Sequence, residues 1–259
     1  MLSIVIPMAG AGHRFAEAGY AAPKPLIPIH GVPMIRLVIA NLRPAGAHRF
    51  IFIVRQAQLD GTPTLRDQLA EWAPGCGIAV VPGLTQGAAC TVLAARAAIP
   101  DDAPMLIANC DQWVEAPIGV FLAAATAGPA PPDGAILTMR ATDPKWSFAR
   151  RGPDGWVAEV AEKVPISNEA TVGLYYFARA GDFFAAALAM IAAEERVNGE
   201  FYVAPVYNRM IAAGARIAAV PIGAEGAGMH GLGTPADLTA FLATAESHRA
   251  AALARADRP

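Results

Sequence analysis

Short apolar runs alternate with amphipathic segments through the first half of the chain. Runs rich in Val and Ile predict strands over Leu2–Met8, Arg49–Arg55, Ile78–Val81 and Met105–Asn109. Apolar positions three and four residues apart predict helices over Pro33–Leu42, Leu65–Trp72, Ala88–Ala98 and Ile118–Ala125. Gly10–Pro28 is punctuated by Gly and Pro and predicts a long loop. Continuous apolar strands separated by helices indicate a mostly parallel sheet covered on both faces.

The pattern changes in the second half, where four strand-like runs follow one another closely. They are Ala135–Met139, Ser147–Arg150, Val157–Val160 and Val172–Ala178, and Asp154-Gly155 predicts a hairpin turn between the middle two. Later predictions are helices over Asp182–Ala193 and Val203–Ala212, a strand over Arg216–Pro221, and a last helix from Pro235 to about Ala251, N-capped by Thr234. No repeat or long linker interrupts the chain, so we expect one domain over residues 1–259.

Composition narrows the class of protein. The chain has 54% hydrophobic and 16% charged residues, with a formal net charge of −2, so it carries no general attraction for nucleic acid or anionic membranes. No apolar run approaches the ~20 residues that span a bilayer. The three cysteines lack CxxC spacing, and the N-terminus enters a strand at once, without a signal peptide. We therefore expect a cytoplasmic protein with neither a nucleic-acid nor a membrane partner, and a homo-oligomer stays open.

A loop of small residues follows the first predicted strand. Ala9, Gly10, Ala11 and Gly12 leave room for close backbone approach, and their N–H groups are suitable donors to phosphate. Arg14 adds a planar cation suited to bidentate phosphate contacts. A simple strand-to-helix turn would also use two glycines, so the loop alone does not decide between structure and function.

A lysine between two prolines makes the pattern more specific. Pro23 and Pro25 restrict the backbone around Lys24, so the lysine loses less conformational freedom when it meets a ligand. A dinucleotide-binding fingerprint fits poorly, because its third glycine would fall at Phe15. The GxxxxGK[ST] phosphate-binding motif is absent from the sequence.

Two later motifs lie where predicted strands give way to loops. Gln86 and Gly87 lie in a loop that leads into a predicted helix. The ordinary structural interpretation of this pair is a helix N-terminus with an exposed glutamine. Asp111 follows the apolar run that ends at Asn109, which places a carboxylate at the carboxyl edge of the sheet, where ligands bind in open α/β folds. Capping of the next turn is the structural alternative for Asp111.

These motifs, in this order, resemble the sugar-phosphate nucleotidyltransferase family, the nucleoside-diphosphate-sugar pyrophosphorylases. The resemblance implies a single Rossmann-like α/β domain with a mostly parallel mixed sheet flanked by helices, similar to glycosyltransferase-A folds. It also implies transfer of a nucleoside monophosphate from an NTP to a small phosphorylated acceptor, with Mg²⁺ as cofactor. In such enzymes the glycine loop and Arg14 would wrap the triphosphate, Lys24 would neutralise the α-phosphate, and Asp111 would bind Mg²⁺.

The resemblance assigns further residues to each substrate. Gln86 and Gly87 would contact the nucleotide base. Glu162 and Lys163 would bind the hydroxyls and the phosphate of the acceptor, and Gly173 belongs to the aromatic strand that follows this pair. The nucleotide would thus bind the front half, about residues 1–130, and the acceptor the back half, about residues 131–250. A sugar 1-phosphate acceptor would place the enzyme in nucleotide-sugar and polysaccharide biosynthesis.

One position departs from the family pattern. Members commonly carry a second metal-binding aspartate shortly before a Gly-Thr pair, here Gly233-Thr234, but this chain has Gly231 at that place. The metal would then be held by Asp111 with another side chain, phosphates and water. Three alternatives stay open: a cytidylyltransferase with a non-sugar acceptor, an inactive nucleotide-sugar-binding regulator, and a glycosyltransferase. The last usually has an Asp-x-Asp motif, whose first acid is replaced by Asn109.

Overall fold

A computed structural model describes residues 1–257 and shows an α/β protein built on a mixed sheet. The strands are β1 Leu2–Pro7, β2 Pro28–Ile29, β3 Val32–Pro33, β4 His48–Arg55, β5 Gly77–Val81, β6 Met105–Ala108, β7 Gln112–Val114, β8 Gly134–Arg140, β9 Ser147–Arg151, β10 Val157–Glu162, β11 Glu169–Phe177, β12 Ile217–Glu225 and β13 Gly228–Gly231. The helices are α1 His13–Glu17, α2 Met34–Leu42, α3 Gln56–Gly61, α4 Leu65–Trp72, α5 Ala88–Leu93, α6 Ile118–Ala125, α7 Ala180–Ala192, α8 Val206–Ala212, α9 Pro235–Leu242 and α10 Ala245–Ala256.

The order of the strands brings distant loops together. Within residues 1–257, 11 strands form one sheet, whose main path runs β5-β4-β1-β6-β11-β8-β12-β13-β7. The first four are parallel, and β11 then pairs antiparallel with β6. The β9–β10 hairpin joins the sheet through β11. Since β1 and β6 are parallel neighbours, the loops that follow them leave the same edge of the sheet.

Both faces of the sheet are covered, as the continuous apolar strands predict. Along β1, Val5 packs into a core on one face with α5, α7 and α8, whereas Ile4 and Ile6 pack into a core on the other face with α2, α4 and α6. All three side chains are fully buried. Alternate residues of a strand point to opposite faces, so a strand that is covered twice must be apolar throughout.

The predicted fold class is confirmed, and several element predictions need correction. The segment Gly10–Pro28 is not one loop, because α1 and a 3₁₀ turn over Lys24–Leu26 lie within it. The helix predicted over Ala88–Ala98 ends at Leu93. The last helix is broken, because the Oγ1 of Thr244 accepts a hydrogen bond from the backbone N–H of Ser247 and starts a second helix there.

Other predictions at the second half of the chain agree closely with the structure. The hairpin at Asp154-Gly155 joins β9 and β10, and Thr234 caps α9 by accepting from the Asp237 backbone N–H. The helix predicted from Val203 begins instead at Val206, and the strand predicted to Pro221 continues to Glu225.

Within residues 1–257, no helix combines the length and the apolar character needed to cross a membrane.

Candidate functional site

Two adjoining cavities open at the carboxyl edge of the parallel strands. The front cavity, ≈ 430 Å³, is lined by the loop after β1 and by the loop before α5. The back cavity, ≈ 440 Å³, is lined by the loop after β6 and by residues of β9, β10 and β11. Both cavities share the following wall residues: Pro7, Gly10, Gly12, Arg14, Lys24, Ala88, Glu200 and Gly233. A molecule bound in one cavity would therefore meet a molecule bound in the other.

The glycine loop after β1 lies in the wall of the front cavity and is braced from behind. Ala9 and Ala11 line this cavity together with Gly10 and Gly12. The Nε2 of Gln58 donates to the carbonyl of Met8 at 2.9 Å, and the Nη2 of Arg55 donates to the carbonyl of Gly10 at 3.3 Å. Sequence reasoning missed both supports, because neither residue belongs to a recognisable motif.

Lys24 and Asp111 meet at the junction of the two cavities as an ion pair. The side chains are each 21% exposed, so both are shielded from solvent yet face the open space. Burial alone would lower the pKa of Lys24, but nearby negative charge, chiefly that of Asp111, raises the pKa overall. Lys24 is therefore a fixed positive charge at neutral pH. Arg14 is exposed on the wall of both cavities.

Cys110 lines the back cavity between Asn109 and Asp111. Burial, and secondly the neighbouring Asp111 carboxylate, raise the pKa of the Cys110 thiol to about 12. The thiol stays protonated near neutral pH and is a poor nucleophile. Within residues 1–257 all three cysteines are free and partly buried.

The back cavity contains a second carboxylate close to Gly231. A Cβ atom built on Gly231 would lie 4.0 Å from the Cγ of Asp237. Asp237 accepts a hydrogen bond from Thr234 Oγ1 at 2.7 Å, and Lys145 Nζ lies 3.6 Å from its other oxygen. The sequence motifs do not point to Asp237, which lies in the first turn of α9. The fold turns it toward the place where the family pattern has its second acid.

This donor set fits Mg²⁺ bound together with a nucleotide. Within residues 1–257, no cluster of three or more His, Cys, Asp or Glu side chains could hold a metal ion. Mg²⁺ is commonly bound by one or two carboxylates, with phosphate oxygens and water completing the octahedron. Asp111 and Asp237 supply two carboxylates in a cavity with room for such ligands.

The structure gives Gln86 and Gly87 neighbours that the sequence does not reveal. The Oε1 of Gln86 accepts a hydrogen bond from Arg196 Nη2 at 2.6 Å, and the side chain lies outside the walls of both cavities. Gly87 lines the front cavity, but a Cβ atom there would overlap the backbone of Phe201. Glycine at this position is needed for the approach of that backbone. The contact of both residues with a base stays a prediction.

The predicted acceptor pair lies in the back cavity in a polar setting. Glu162 accepts a hydrogen bond from Ser147 Oγ, and burial raises the pKa of the Glu162 carboxyl. Lys163 has a left-handed backbone, with φ 58°, and its Nζ donates to the Tyr202 hydroxyl at 2.7 Å. None of the sequence motifs points to Tyr202, because its contact with Lys163 spans 39 positions of the chain.

Gly173 lines the back cavity and makes room for two amides. Its φ of 77° is left-handed, and a Cβ atom there would overlap the side-chain amides of Asn109 and Gln112. Both polar atoms of the Gln112 side chain are buried without a hydrogen-bond partner among the described residues. Glycine at 173 thus determines where these two amides stand in the cavity wall.

Substituting Gly173 with Ala should therefore destabilise the protein more than the same substitution at a left-handed glycine with free space around it. Gly155, with φ 86° and no atom within 4 Å of a built Cβ, is the matched control. We expect Gly155→Ala to lower the free energy of unfolding by about 1–2 kcal/mol, the cost of the left-handed backbone alone. Gly173→Ala should lose about 1–3 kcal/mol more through overlap. Urea denaturation measures both, and equal losses would show that the amides move aside at no cost.

Comparison with known proteins places this fold and sequence among nucleotide-handling enzymes. The model of the MobA-like NTP transferase domain matches residues 4–162. A nucleoside-diphosphate-sugar pyrophosphorylase from Vibrio cholerae RC9 is 28% identical, with TM-score 0.76, and the similarity covers 93% of this chain and 100% of that one. A comparison with curated protein sequences gives no significant match.

A more distant structure shares the fold. The inositol-1-phosphate CTP transferase from T. maritima is 14% identical, with TM-score 0.72, over 99% of this chain and 97% of that one. At this identity the likeness concerns the fold alone. It shows that the arrangement of the sheet and its helices continues through the part of the chain beyond residue 162.

Fold and sequence together define the protein as a nucleotidyltransferase. The family model covers more than half of the chain. The chain therefore belongs to the MobA-like NTP transferase domain family. The predicted enzyme class is confirmed.

Proposed function

We propose that this enzyme transfers a nucleoside monophosphate from an NTP to a sugar 1-phosphate and releases pyrophosphate. The observation that carries the proposal is the Lys24–Asp111 pair at the junction of two adjoining cavities of similar size. One cavity would hold the nucleotide and the other the acceptor. The 28% identical relative is a nucleoside-diphosphate-sugar pyrophosphorylase, which favours a sugar as the acceptor. The NDP-sugar product would serve polysaccharide biosynthesis.

The reaction is an in-line displacement at the α-phosphorus. An oxygen of the acceptor phosphate forms a bond to this phosphorus, and the bond to the bridging oxygen of the β-phosphate breaks. The electron pair of that bond leaves with pyrophosphate. A phosphate dianion is already a nucleophile, so the enzyme needs no general base. Positioning and charge neutralisation supply the catalysis.

The charged residues divide between the two substrates. Arg14 and the N–H groups of the glycine loop would bind the triphosphate. Lys24, which lines both cavities, would face the α-phosphoryl group at their junction. Lys163 would bind the acceptor phosphate, with Tyr202 fixing its ammonium. Glu162 would accept hydrogen bonds from acceptor hydroxyls. Residues of the front half of the chain would thus bind mainly the nucleotide, and residues of the back half mainly the acceptor.

Mg²⁺ would be held by Asp111 and Asp237 together with oxygens of the triphosphate. Its charge would neutralise the α-phosphate and the departing pyrophosphate. In the free protein each carboxylate already faces an ammonium group, Asp111 that of Lys24 and Asp237 that of Lys145. The triphosphate would compete for these cations and supply further ligands. Metal and nucleotide should therefore bind together.

A matrix of nucleotides and acceptors tests the proposed function. ATP, GTP, CTP, UTP and dTTP would each be combined with sugar 1-phosphates, inositol 1-phosphate, phosphocholine and a phosphonate, with Mg²⁺ present and pyrophosphate release as the readout. We expect turnover with one nucleotide and a sugar 1-phosphate. Turnover only with a non-sugar acceptor would overturn the sugar assignment. Nucleotide binding without any product would indicate a regulatory protein.

The metal assignment predicts a linkage that calorimetry can measure. Mg²⁺ should bind the free protein weakly and should bind much more tightly with the preferred NTP present. Asp237→Asn should weaken only the nucleotide-dependent binding, because it removes one of two carboxylate ligands. Glu225→Gln is the matched control, since Glu225 also pairs with Lys145 but lies outside the walls of both cavities. Micromolar Mg²⁺ affinity without nucleotide would contradict the linkage, and an unchanged Asp237→Asn protein would exclude that residue.

A further inference from the structure

A short hairpin between α7 and α8 lies against both cavities. Val197 and Glu200 form an antiparallel bridge through two 3.0 Å backbone hydrogen bonds. Asn198 and Gly199 between them have φ of 49° and 82°, as in the tight turns that favour Asn-Gly. Glu200 lines both the front and the back cavity. We call residues 194–202 the bridging hairpin.

One end of the bridging hairpin is fastened to the loop before α5. The backbone N–H of Phe201 donates to the carbonyl of Gln86 at 2.8 Å, and the N–H of Ala89 donates to the carbonyl of Phe201 at 3.0 Å. Gly87 allows this approach, because any side chain there would overlap the Phe201 backbone. The Phe201 ring is fully buried. The hairpin and the wall of the front cavity are therefore one packed unit.

Arg196 strengthens this fastening from the solvent side. Its Nη2 donates to Gln86 Oε1 at 2.6 Å, and its Nη1 donates to the carbonyl of Gly199 at 3.2 Å. Its guanidinium carbon lies 4.1 Å from the centre of the Phe201 ring, and Glu194 accepts from its Nε at 2.6 Å. A single side chain thus connects the hairpin turn, its buried anchor and the loop before α5.

The next residue at the same end of the bridging hairpin reaches the proposed acceptor site. Tyr202 follows the buried Phe201 directly, and its hydroxyl accepts from Lys163 Nζ at 2.7 Å. The ammonium also lies 4.7 Å from the centre of the Tyr202 ring, within range of a cation–π interaction. The position of Lys163 consequently depends on where the hairpin holds Tyr202.

We propose that the bridging hairpin couples nucleotide binding to the positioning of Lys163, and that Arg196 is the residue on which this coupling depends. The inference rests on the proposed function, because it takes the front cavity as the nucleotide site and Lys163 as an acceptor ligand. A nucleotide that orders the loop before α5 also orders the hairpin packed on it. Lys163 then presents a fixed ammonium to the acceptor. Arg196 lies outside the walls of both cavities and acts as a positioning residue.

Amide hydrogen exchange on the whole protein tests this coupling without requiring turnover. Exchange would be followed in residues 10–14, 85–89, 197–203 and 160–165, with Mg²⁺ and each of ATP, GTP, CTP, UTP and dTTP. The backbone N–H groups of Phe201 and Lys163 are hydrogen-bonded reporters of the hairpin and of the acceptor site. In the wild-type protein we expect one nucleotide to slow exchange in all four segments.

Three variants separate the contact between the hairpin and the loop before α5 from the contact between Tyr202 and Lys163. Arg196→Ala should speed exchange at 85–89 and 197–203 in the free protein, and should confine nucleotide protection mainly to residues 10–14. Arg209→Ala is the matched control, because Arg209 pairs with Glu195 beside Arg196 but does not contact the loop before α5. It should behave like the wild type. Tyr202→Phe should keep the protection at 197–203 and lose it at 160–165.

The outcomes distinguish this inference from the proposed function. In turnover assays Arg196→Ala should raise the acceptor KM about fivefold or more, the lower range of measured couplings between sites. Protection at 160–165 that survives in Arg196→Ala would overturn the inference while leaving the nucleotidyltransferase intact. If no nucleotide protects residues 10–14, the proposed nucleotide site is wrong. In that case, hydrogen exchange at residues 85–89 of the free Arg196→Ala protein still tests whether Arg196 holds the bridging hairpin against the loop before α5. Exchange there at the wild-type rate would refute that role of Arg196.

Discussion

Replacing Asp111 with Asn should abolish measurable turnover while leaving nucleotide binding largely in place. The substitution keeps the shape of the side chain but removes the carboxylate that faces Lys24 and would hold Mg²⁺. We expect kcat to fall by about 10³-fold or more, because a preorganised electrostatic contact at the α-phosphoryl group is lost. Arg14 and the glycine loop remain to bind the triphosphate. Pyrophosphate release and calorimetric nucleotide titration measure the two effects.

Asp60→Asn is the matched control for this substitution. Asp60 lies exposed on α3, where it accepts a hydrogen bond from Gln56, and it is remote from the walls of both cavities. Its substitution should leave kcat unchanged. If Asp111→Asn kept more than a tenth of wild-type kcat, the proposed metal and charge role of Asp111 would be wrong, and its contact with Lys24 would be structural.

Replacing Lys24 with Ala should lower turnover by about 10²–10³-fold, the usual scale for removing one preorganised charge. The lysine is a permanent cation, since the pKa of its ammonium is raised by Asp111 despite burial. It stands where the two cavities meet and would face the charge that develops at the α-phosphoryl group. Because its benefit grows in the transition state, kcat should fall more than KM rises.

Stability separates a catalytic from a structural role for Lys24. From the sequence, the lysine is an exposed loop residue whose loss should barely change the melting temperature. The structure shows a half-buried ion pair instead, so Lys24→Ala leaves the Asp111 carboxylate without its partner. The pair borders an open cavity where water can replace the ammonium, so we expect a loss of about 1 kcal/mol or less. A large drop in melting temperature with nearly normal kcat would contradict the mechanism.

Much of the fold could be predicted because its determinants are local. A stretch of strand buried on both faces is apolar at successive positions, and Ile4–Ile6 in β1, Phe50–Val54 in β4 and Met105–Ala108 in β6 have this pattern. Short elements that depend on distant partners were missed. The strand β13, for example, contains three glycine-or-histidine positions in four and exists because β7 and β12 pair with it. Propensity gives little information where pairing decides the structure.

The candidate site likewise combines features that depend on neighbouring residues with features that depend on distant ones. The sequence by itself determined the small-residue loop after β1, the restrained lysine between prolines and the carboxylate that follows β6, because each depends on neighbouring residues. It also placed Thr234 at the start of α9. These local features indicated phosphate chemistry, and the resemblance of their order to the sugar-phosphate nucleotidyltransferases indicated the enzyme class.

Only the tertiary structure decided how these parts combine. Lys24 pairs with Asp111 across 87 positions of sequence because β1 and β6 are adjacent in the sheet. Arg196 reaches Gln86 across 110 positions because a hairpin packs against Gly87. The hydrophobic period of a segment specifies which face is buried, but it does not specify which strand lies beside it. Contacts between distant residues therefore follow from strand order and packing.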